Sequence, residues 1–394
     1  MTLAVDPYLV DWLDFLLRWL HVIAGIVWIG TSFYFVALDN HLLPPKHRED
    51  VDAGVAGESW EIHGGGFYVI RKFTVAPPEL PEPLHWYKWE AYTTWLSGFG
   101  LFVLLYYVDA NVRLVDPGVA DLAEWQAILI SLAGIALAWL VYDVLCRTVG
   151  ERSEAALAVV GTGLVALAAW GAGQLFAPRA AFLQIGVMLG TIMVANVFFV
   201  IIPAQRGLVA AMEESRAPDP APLLRAKGRS VHNNYLTLPV LFTMLAGHFA
   251  FTFGADQAWL VLVAVMALTA LLRVFFNRWH AGTRTWWIPA AAAVGVVALA
   301  VWLQPNEEAG AKATGDAAAG KTVFDSAGCS ACHTLADANA TGRVGPSLDS
   351  ARPSASLVVE RVTNGKGLMR PFRGTLTEAQ IADVAAYVSS VAGK

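Results

Sequence analysis

Apolar residues in this chain are gathered into long unbroken runs, not into the alternating or striped patterns of a fold that keeps one face in water. Eight runs, roughly at 12–38, 91–108, 123–146, 155–176, 181–203, 235–253, 257–276 and 285–304, are long enough for a helix to cross about 30 Å of hydrocarbon. The pattern changes after residue 304. Residues 305–317 are small and polar without a period and read as a flexible tether. A separate unit follows over 318–394, ending in a helical run from Thr377 to Val391. The expected fold is therefore all-α: a polytopic membrane bundle of about eight spans over 1–304, tethered to a small α-helical domain.

Composition agrees. Apolar residues make up 56% of the 394 and charged residues only 15%, with 15 Trp, which is a membrane composition. The net charge of −5 is mild, and no nucleic-acid partner is expected. The first run is preceded by Asp6 and contains Asp14, without the basic region or small-residue cleavage site of a secretory signal, so the first helix is expected to be retained. Basic residues collect in alternate loops. Arg71, Lys72 and Lys88 lie in 39–90, and Arg225, Lys227 and Arg229 in 204–234, while the intervening loops hold only Arg113 and Arg179. By the positive-inside rule, both termini are expected outside the cytoplasm.

Chemistry concentrates at Cys329-Ser330-Ala331-Cys332-His333. Two thiols separated by two residues and followed by histidine have the spacing of c-type haem attachment. A zinc site would need two further ligands at short spacing, and none follows. A thioredoxin-like site would need a βαβ setting, which the pattern lacks. His333 is the expected proximal ligand. Met369 is the only methionine after the motif and the expected sixth ligand, since His/Met ligation raises a haem potential. The carbonyl of Pro346 is placed to hold the other nitrogen of His333. Residues 318–394 resemble a class I cytochrome c, although Arg370 separates Met369 from Pro371-Phe372. In bacteria such haem is attached on the periplasmic side, which agrees with the loop charges and predicts an inner-membrane protein.

Two histidines fall inside spans, His21 in the first and His248 near the end of the sixth. Intramembrane ionisable residues are functional candidates. At a shared depth the pair could hold a b-type haem; histidines hydrogen-bonded in a helix interface are the plainer alternative. A second group sits at the other side: His63-Gly64-Gly65-Gly66-Phe67-Tyr68, Trp86-Tyr87-Lys88-Trp89-Glu90-Ala91-Tyr92 and His232-Asn233-Asn234-Tyr235-Leu236-Thr237-Leu238-Pro239. An interfacial aromatic belt accounts for the tryptophans, but paired asparagines at the mouth of a span are harder to explain as packing.

These motifs, ahead of a C-terminal cytochrome c, resemble the bacterial membrane-bound urate oxidase (urate hydroxylase) family over essentially the whole chain. The resemblance implies oxidation of urate to 5-hydroxyisourate with water as oxygen source, and electrons passing to the cytochrome domain and on to a periplasmic cytochrome or terminal oxidase. His63 and His232 are then candidate general bases, and Asn233 and Asn234 candidate ligands for a planar, anionic purine. A quinol–cytochrome c oxidoreductase and a non-catalytic membrane cytochrome are the alternatives, and a homo-oligomer is compatible with the chain. Charge adds one expectation. The outer segments carry Asp11, Asp116 and Asp121, and the loop around Met369 carries Lys366, Arg370 and Arg373, so the cationic rim is expected to face the acidic surface of the bundle.

Overall fold

All eight predicted apolar runs are helical in the computed structural model, which describes residues 7–108, 110–255, 257–304, 315–366 and 369–394. Most of the expected tether, 305–314, lies outside the described residues. The helices of the N-terminal unit are α1 (Pro7–His41), α2 (Arg48–Asp52), α3 (Trp89–Phe102), α4 (Ala110–Arg113), α5 (Glu124–Leu145) and α6 (Glu154–Leu175). They continue with α7 (Pro178–Asn196), α8 (Ile202–Glu213), α9 (Pro220–Ala246), α10 (Ala250–Phe253), α11 (Ala258–His280) and α12 (Trp287–Trp302). Five of the helical stretches are long and apolar enough to cross a membrane: α1, α5, α6, the continuous α7–α8 rod and α11. Among the other three, α12 is apolar but has only 16 residues, and α3 runs 14 residues before a widened turn over Val103–Tyr107. Helix α9 begins fifteen residues before its apolar run, and its first half carries Arg225, Lys227 and Arg229.

The expectation of an all-α chain is corrected outside the runs, chiefly between α2 and α3. Strands β1 (Val55–His63) and β2 (Gly66–Phe73) form an antiparallel hairpin in which His63 pairs with Gly66. The two-residue loop, Gly64 and Gly65, has φ of +57° and +87°, the left-handed pair that a tight hairpin turn needs. The glycine triplet is thus turn chemistry, and the β-branched and aromatic run Phe67-Tyr68-Val69-Ile70 suits a strand. The hairpin is tied to the end of α1 by a backbone pair between Leu43 and Glu58 and by Lys72 on Asp39.

Helix α7 is the centre of the bundle. More than half of its apolar window is buried, against 11% for α1 and for α5, and Phe182, Ile185, Leu189 and Ile192 anchor the largest core cluster. The outer helices turn Trp19, Ile26, Leu137, Val159 and Val296 outward, all exposed. This is the inversion expected where lipid, not water, is the surrounding solvent.

Polar side chains are nonetheless buried in this bundle. Arg229, Asn196, Asn233, Asn234, Arg273 and Asn277 are each less than a tenth exposed. Arg229 donates to the Asp143 carboxylate at 2.7 Å and to the Asn196 carbonyl oxygen at 3.2 Å. Asn196 in turn donates to the Asn233 side chain at 2.8 Å, and Asn233 donates to the backbone of Met193. In this way α5, α7 and α9 are laced together.

The C-terminal unit packs α13 (Ala317–Ser326) against α16 (Glu378–Val391), with α14 (Leu348–Ala351) and α15 (Ala355–Asn364) between them in sequence. Two-residue strands β3 (Thr334–Leu335) and β4 (Ala340–Thr341) pair beneath. Gly320 lets the long helices touch, since a Cβ there would lie 2.0 Å from the Asp383 carbonyl oxygen. Phe324, Leu335, Val384 and Val388 fill the core, and Thr377 and Gln380 cap α16 reciprocally.

Removing Arg229 leaves a mostly enclosed Asp143 carboxylate and takes one donor from Asn196. Arg229→Ala is expected to cost about 3 kcal/mol, as for breaking a buried pair. Arg147 also pairs with Asp143, but its side chain is 67% exposed, so Arg147→Ala is expected to cost under about 1 kcal/mol. Thermal unfolding of both variants in detergent checks the contrast, and equal losses would contradict it.

Candidate redox centre and polar layer

Helix α13 stops at Gly328, whose φ of +74° turns the chain into the short 3-10 turn Cys329–Ala331. This brings the amide of His333 onto the Cys329 carbonyl at 3.0 Å. His333 Nδ1 lies 2.9 Å from the Pro346 carbonyl oxygen. A carbonyl can only accept, so Nδ1 carries the proton and Nε2 keeps its lone pair for a ligand. Gly345 stands flat against this ring; a Cβ there would lie 2.5 Å from Cε1. Opposite, Met369 is set in a tight turn in which its amide and carbonyl both pair with Lys366 at 3.0 Å. Burial pushes the Cys329 thiol up to about 11, so it is not a thiolate at neutral pH and makes a poor redox nucleophile.

Cys329, Cys332, His333 and Met369 line one cavity of about 2200 Å³, walled on the same side by Phe324, Leu357, Val358 and Phe372. Two thiols, an imidazole nitrogen and a thioether around an apolar slot fit a covalently bound haem. The cavity continues into the bundle, where it is lined by His21, Gly98, Gly190 and His248 and floored by Ile29, Met193 and Thr237.

His21 repeats the arrangement of His333. Its Nδ1 lies 2.9 Å from the Thr94 carbonyl oxygen, so Nε2 is again the free nitrogen. A glycine, Gly98, again lies against the ring, with a notional Cβ 2.5 Å from Cε1. His248 follows the last turn of α9, exposed on the wall of the same cavity. Arg18, Arg113 and Arg179 line this end, as do Asp11, Asp14 and Asp116 of the bundle and Lys366 and Arg370 of the C-terminal unit. Cationic rim and acidic surface therefore share one cavity.

The second predicted group is distributed differently. His63 is at the hairpin tip, exposed. His232, Asn233 and Asn234 are consecutive on a helix and cannot face one point. His232 and Asn233 turn toward α5, α6 and α7. His232 Nε2 donates to the Glu154 carboxylate at 3.0 Å, leaving Nδ1 to accept from the Tyr142 hydroxyl at 2.8 Å. That hydroxyl receives an N–H from Asn196 at 3.1 Å. Asn234 turns the other way, toward α1 and α11. Its carbonyl oxygen accepts from Arg273 Nε and Nη2 and from Asn277, at 3.1, 2.9 and 3.2 Å. Arg273 also lies over the Phe33 ring, 3.9 Å from its centroid. The tryptophan cluster is packed on itself, with Lys88 over Trp86 and Trp89 and Tyr87 against His85.

Sequence reasoning missed Tyr142, Asn196, Arg273 and Asn277. The signal was present: Asn196 stands within one apolar run, and Arg273 stands near the end of another with Asn277 one turn on.

Replacing Met369 by Ala is expected to lower the haem potential and remove the sulfur–iron absorption band, whereas Cys329→Ala and Cys332→Ala abolish covalent haem. A redox titration with a haem-stained gel checks this, and an unchanged band in the Met369 variant would contradict the ligand assignment.

The family described as urate oxidase N-terminal matches residues 7–304, and that described as cytochrome c oxidase, cbb3-type, subunit III matches residues 315–388. Cytochrome c6 of Leptolyngbya boryana is 39% identical over 83 residues, covering 20% of this chain and 96% of its own length. Cytochrome c6 of Limnospira maxima is 41% identical over 91 residues, covering 20% and 98%. A solved c-type cytochrome, SorU from Sinorhizobium meliloti, is 48% identical over 20% of this chain and 92% of its own, with a TM-score of 0.19.

Proposed function

The chain belongs to the urate oxidase N-terminal family, and we propose that it oxidises urate to 5-hydroxyisourate and passes the electrons to its own C-terminal cytochrome c domain. Urate and one water give 5-hydroxyisourate, two protons and two electrons, so the oxygen comes from water. The haem held by Cys329, Cys332, His333 and Met369 supplies one-electron redox chemistry. A periplasmic cytochrome or a terminal oxidase receives the electrons afterwards. The observation that carries this reading is the joining, in one chain, of a urate oxidase domain over residues 7–304 to a cytochrome domain over 315–388.

The chain's own residues support a division of labour. Of the two candidate bases, His232 is favoured over His63 as a proton carrier, because it sits in a relay from the Tyr142 hydroxyl to Glu154, whose side chain is 71% exposed. Protons released inside the bundle have a route to the surface along it. Asn233 and Asn234 act as positioning residues, since each is saturated by other side chains or backbone. His21 and His248 would hold a second, non-covalent haem of the b type, in the part of the cavity that Arg18, Arg113 and Arg179 also line. The argument for His21 is its likeness to His333 in carbonyl-held Nδ1 and facing glycine. All eight apolar helices cross the membrane in this reading, with both termini periplasmic and the bilayer and urate as partners.

Urate added without oxygen is expected to reduce the haem of the purified protein, and label from ¹⁸O-water is expected in 5-hydroxyisourate. A protein whose haem is reduced by dithionite or a quinol but not by urate would sink the reading. A pyridine haemochrome is expected to show both haem b and haem c. His21→Ala is expected to lose haem b alone; a wild-type spectrum with haem c only would remove the second site.

A further inference from the structure

Away from the large cavity, the end of α1, the middle of α9 and the end of α11 border a second, smaller and open pocket of about 240 Å³. Val36, Asn40, Val231, Tyr235, Asn277 and Arg278 line it. Among the described residues, the side chains of Asn40, Tyr235 and Arg278 have no hydrogen bond or ion pair to protein. An amide, a phenol and a guanidinium are thus presented to one small space, and two valines supply apolar walls.

Behind the pocket lies the sharpest electrostatic anomaly in the bundle. Arg273 is only 4% exposed, and its hydrogen bonds go to the neutral amide oxygens of Asn234 and Asn277. No carboxylate pairs with it among the described residues. An enclosed cation without a counter-ion is strongly unfavourable, and its potential is weakly screened in a low-dielectric surrounding. Asn277 links the two places: its carbonyl oxygen accepts from Arg273 at 2.9 Å, and the residue lines the pocket. Arg278, one residue on, adds a second positive charge at the mouth.

We propose that this pocket is the substrate site and that it takes a planar, purine-like monoanion, the class to which urate belongs. This rests on the function proposed above. The Asn40 amide and the Tyr235 hydroxyl match the N–H and C=O groups at the rim of such a ring. Val36 and Val231 cover the ring faces, and Arg278 and Arg273 balance the charge. Position supports the choice. Ile29 lines the floor of the large cavity and Val36 the pocket, seven residues apart on α1, or about 10 Å of helix rise. On α9 the pocket's Tyr235 is two residues from the cavity's Thr237. A ligand here lies next to the floor of the redox cavity and is separated from it by the Asn234–Arg273 layer.

The test uses the full-length, haem-loaded protein in detergent, with anaerobic urate titrated against the initial rate of haem c reduction. Arg278→Gln is expected to raise the half-saturating urate concentration about tenfold, the loss of one charge-assisted hydrogen bond. Arg278→Lys is expected to recover part of it, and Asn40→Ala to raise it as well. Wild-type half-saturation is expected to rise with salt, because Arg278 is exposed, and the Gln variant to lose most of that dependence. The dithionite-reduced spectrum reports folding and haem loading and is expected to stay unchanged. If wild-type haem is not reduced by urate, the functional reading fails and this site with it. If wild type responds and neither Arg278→Gln nor Asn40→Ala shifts half-saturation, the pocket assignment alone is wrong.

Discussion

Two guanidiniums buried inside a largely apolar bundle set the terms for this structure. Arg229 and Arg273 are 6% and 4% exposed, and each must be satisfied by protein because hydrocarbon offers no hydrogen bond. The solutions differ. Arg229 has a carboxylate, Asp143, and lies over the Tyr142 ring at 4.9 Å. Arg273 has only amides and the face of Phe33. Helix α9 serves both, because residues 229 and 233 fall on one of its faces while 231, 234 and 235 fall toward another. The paired asparagines are the hinge of this arrangement, one for each side.

With that layer in place, the bundle is divided along its length. On one side lies the large cavity, into which two histidines point from different units of the chain. His21 and His333 are prepared in the same way: Nδ1 held at 2.9 Å by a backbone carbonyl, and a glycine where any side chain would strike the ring. The fold arrives at this geometry twice by unrelated routes, once between two long helices and once in a loop between Cys332 and Pro346. A shared physical demand, an imidazole fixed in tautomer and angle, accounts for the repetition better than chance packing does.

Much of this was legible in the sequence because it depends on local chemistry. Eight apolar runs became helices since length and composition alone decide that in a membrane. The local arrangement of Cys329, Cys332 and His333 was readable because their spacing is itself the geometry, and Gly345-Pro346 pointed to the carbonyl that meets His333 Nδ1. The hairpin over Val55–Phe73 was not anticipated, although Gly64-Gly65 between β-forming residues is a turn signal; the surrounding helices drew the reading away. The polar layer was hidden for a different reason. Asn233 and Asn234 are adjacent in sequence and so invited a single pocket, whereas helical geometry sends them to opposite partners. Arg273 drew no notice because charges near a span end read as topology, and only its burial and its lack of a carboxylate mark it out.

The division of the bundle also bears on how a hydroxylation by water can be run beside a chain of electron carriers. The proposed reaction releases two protons for every two electrons, and the two must part company. A proton moves only through groups in hydrogen-bond contact, and the Tyr142–His232–Glu154 series is such a path, ending at an exposed carboxylate. An electron needs no such contact and can cross the packed layer toward the large cavity, whose walls are mostly apolar. Placing buried, uncharged amides between the two compartments suits both demands. They satisfy Arg273 without neutralising it, so a positive charge stays fixed within the layer.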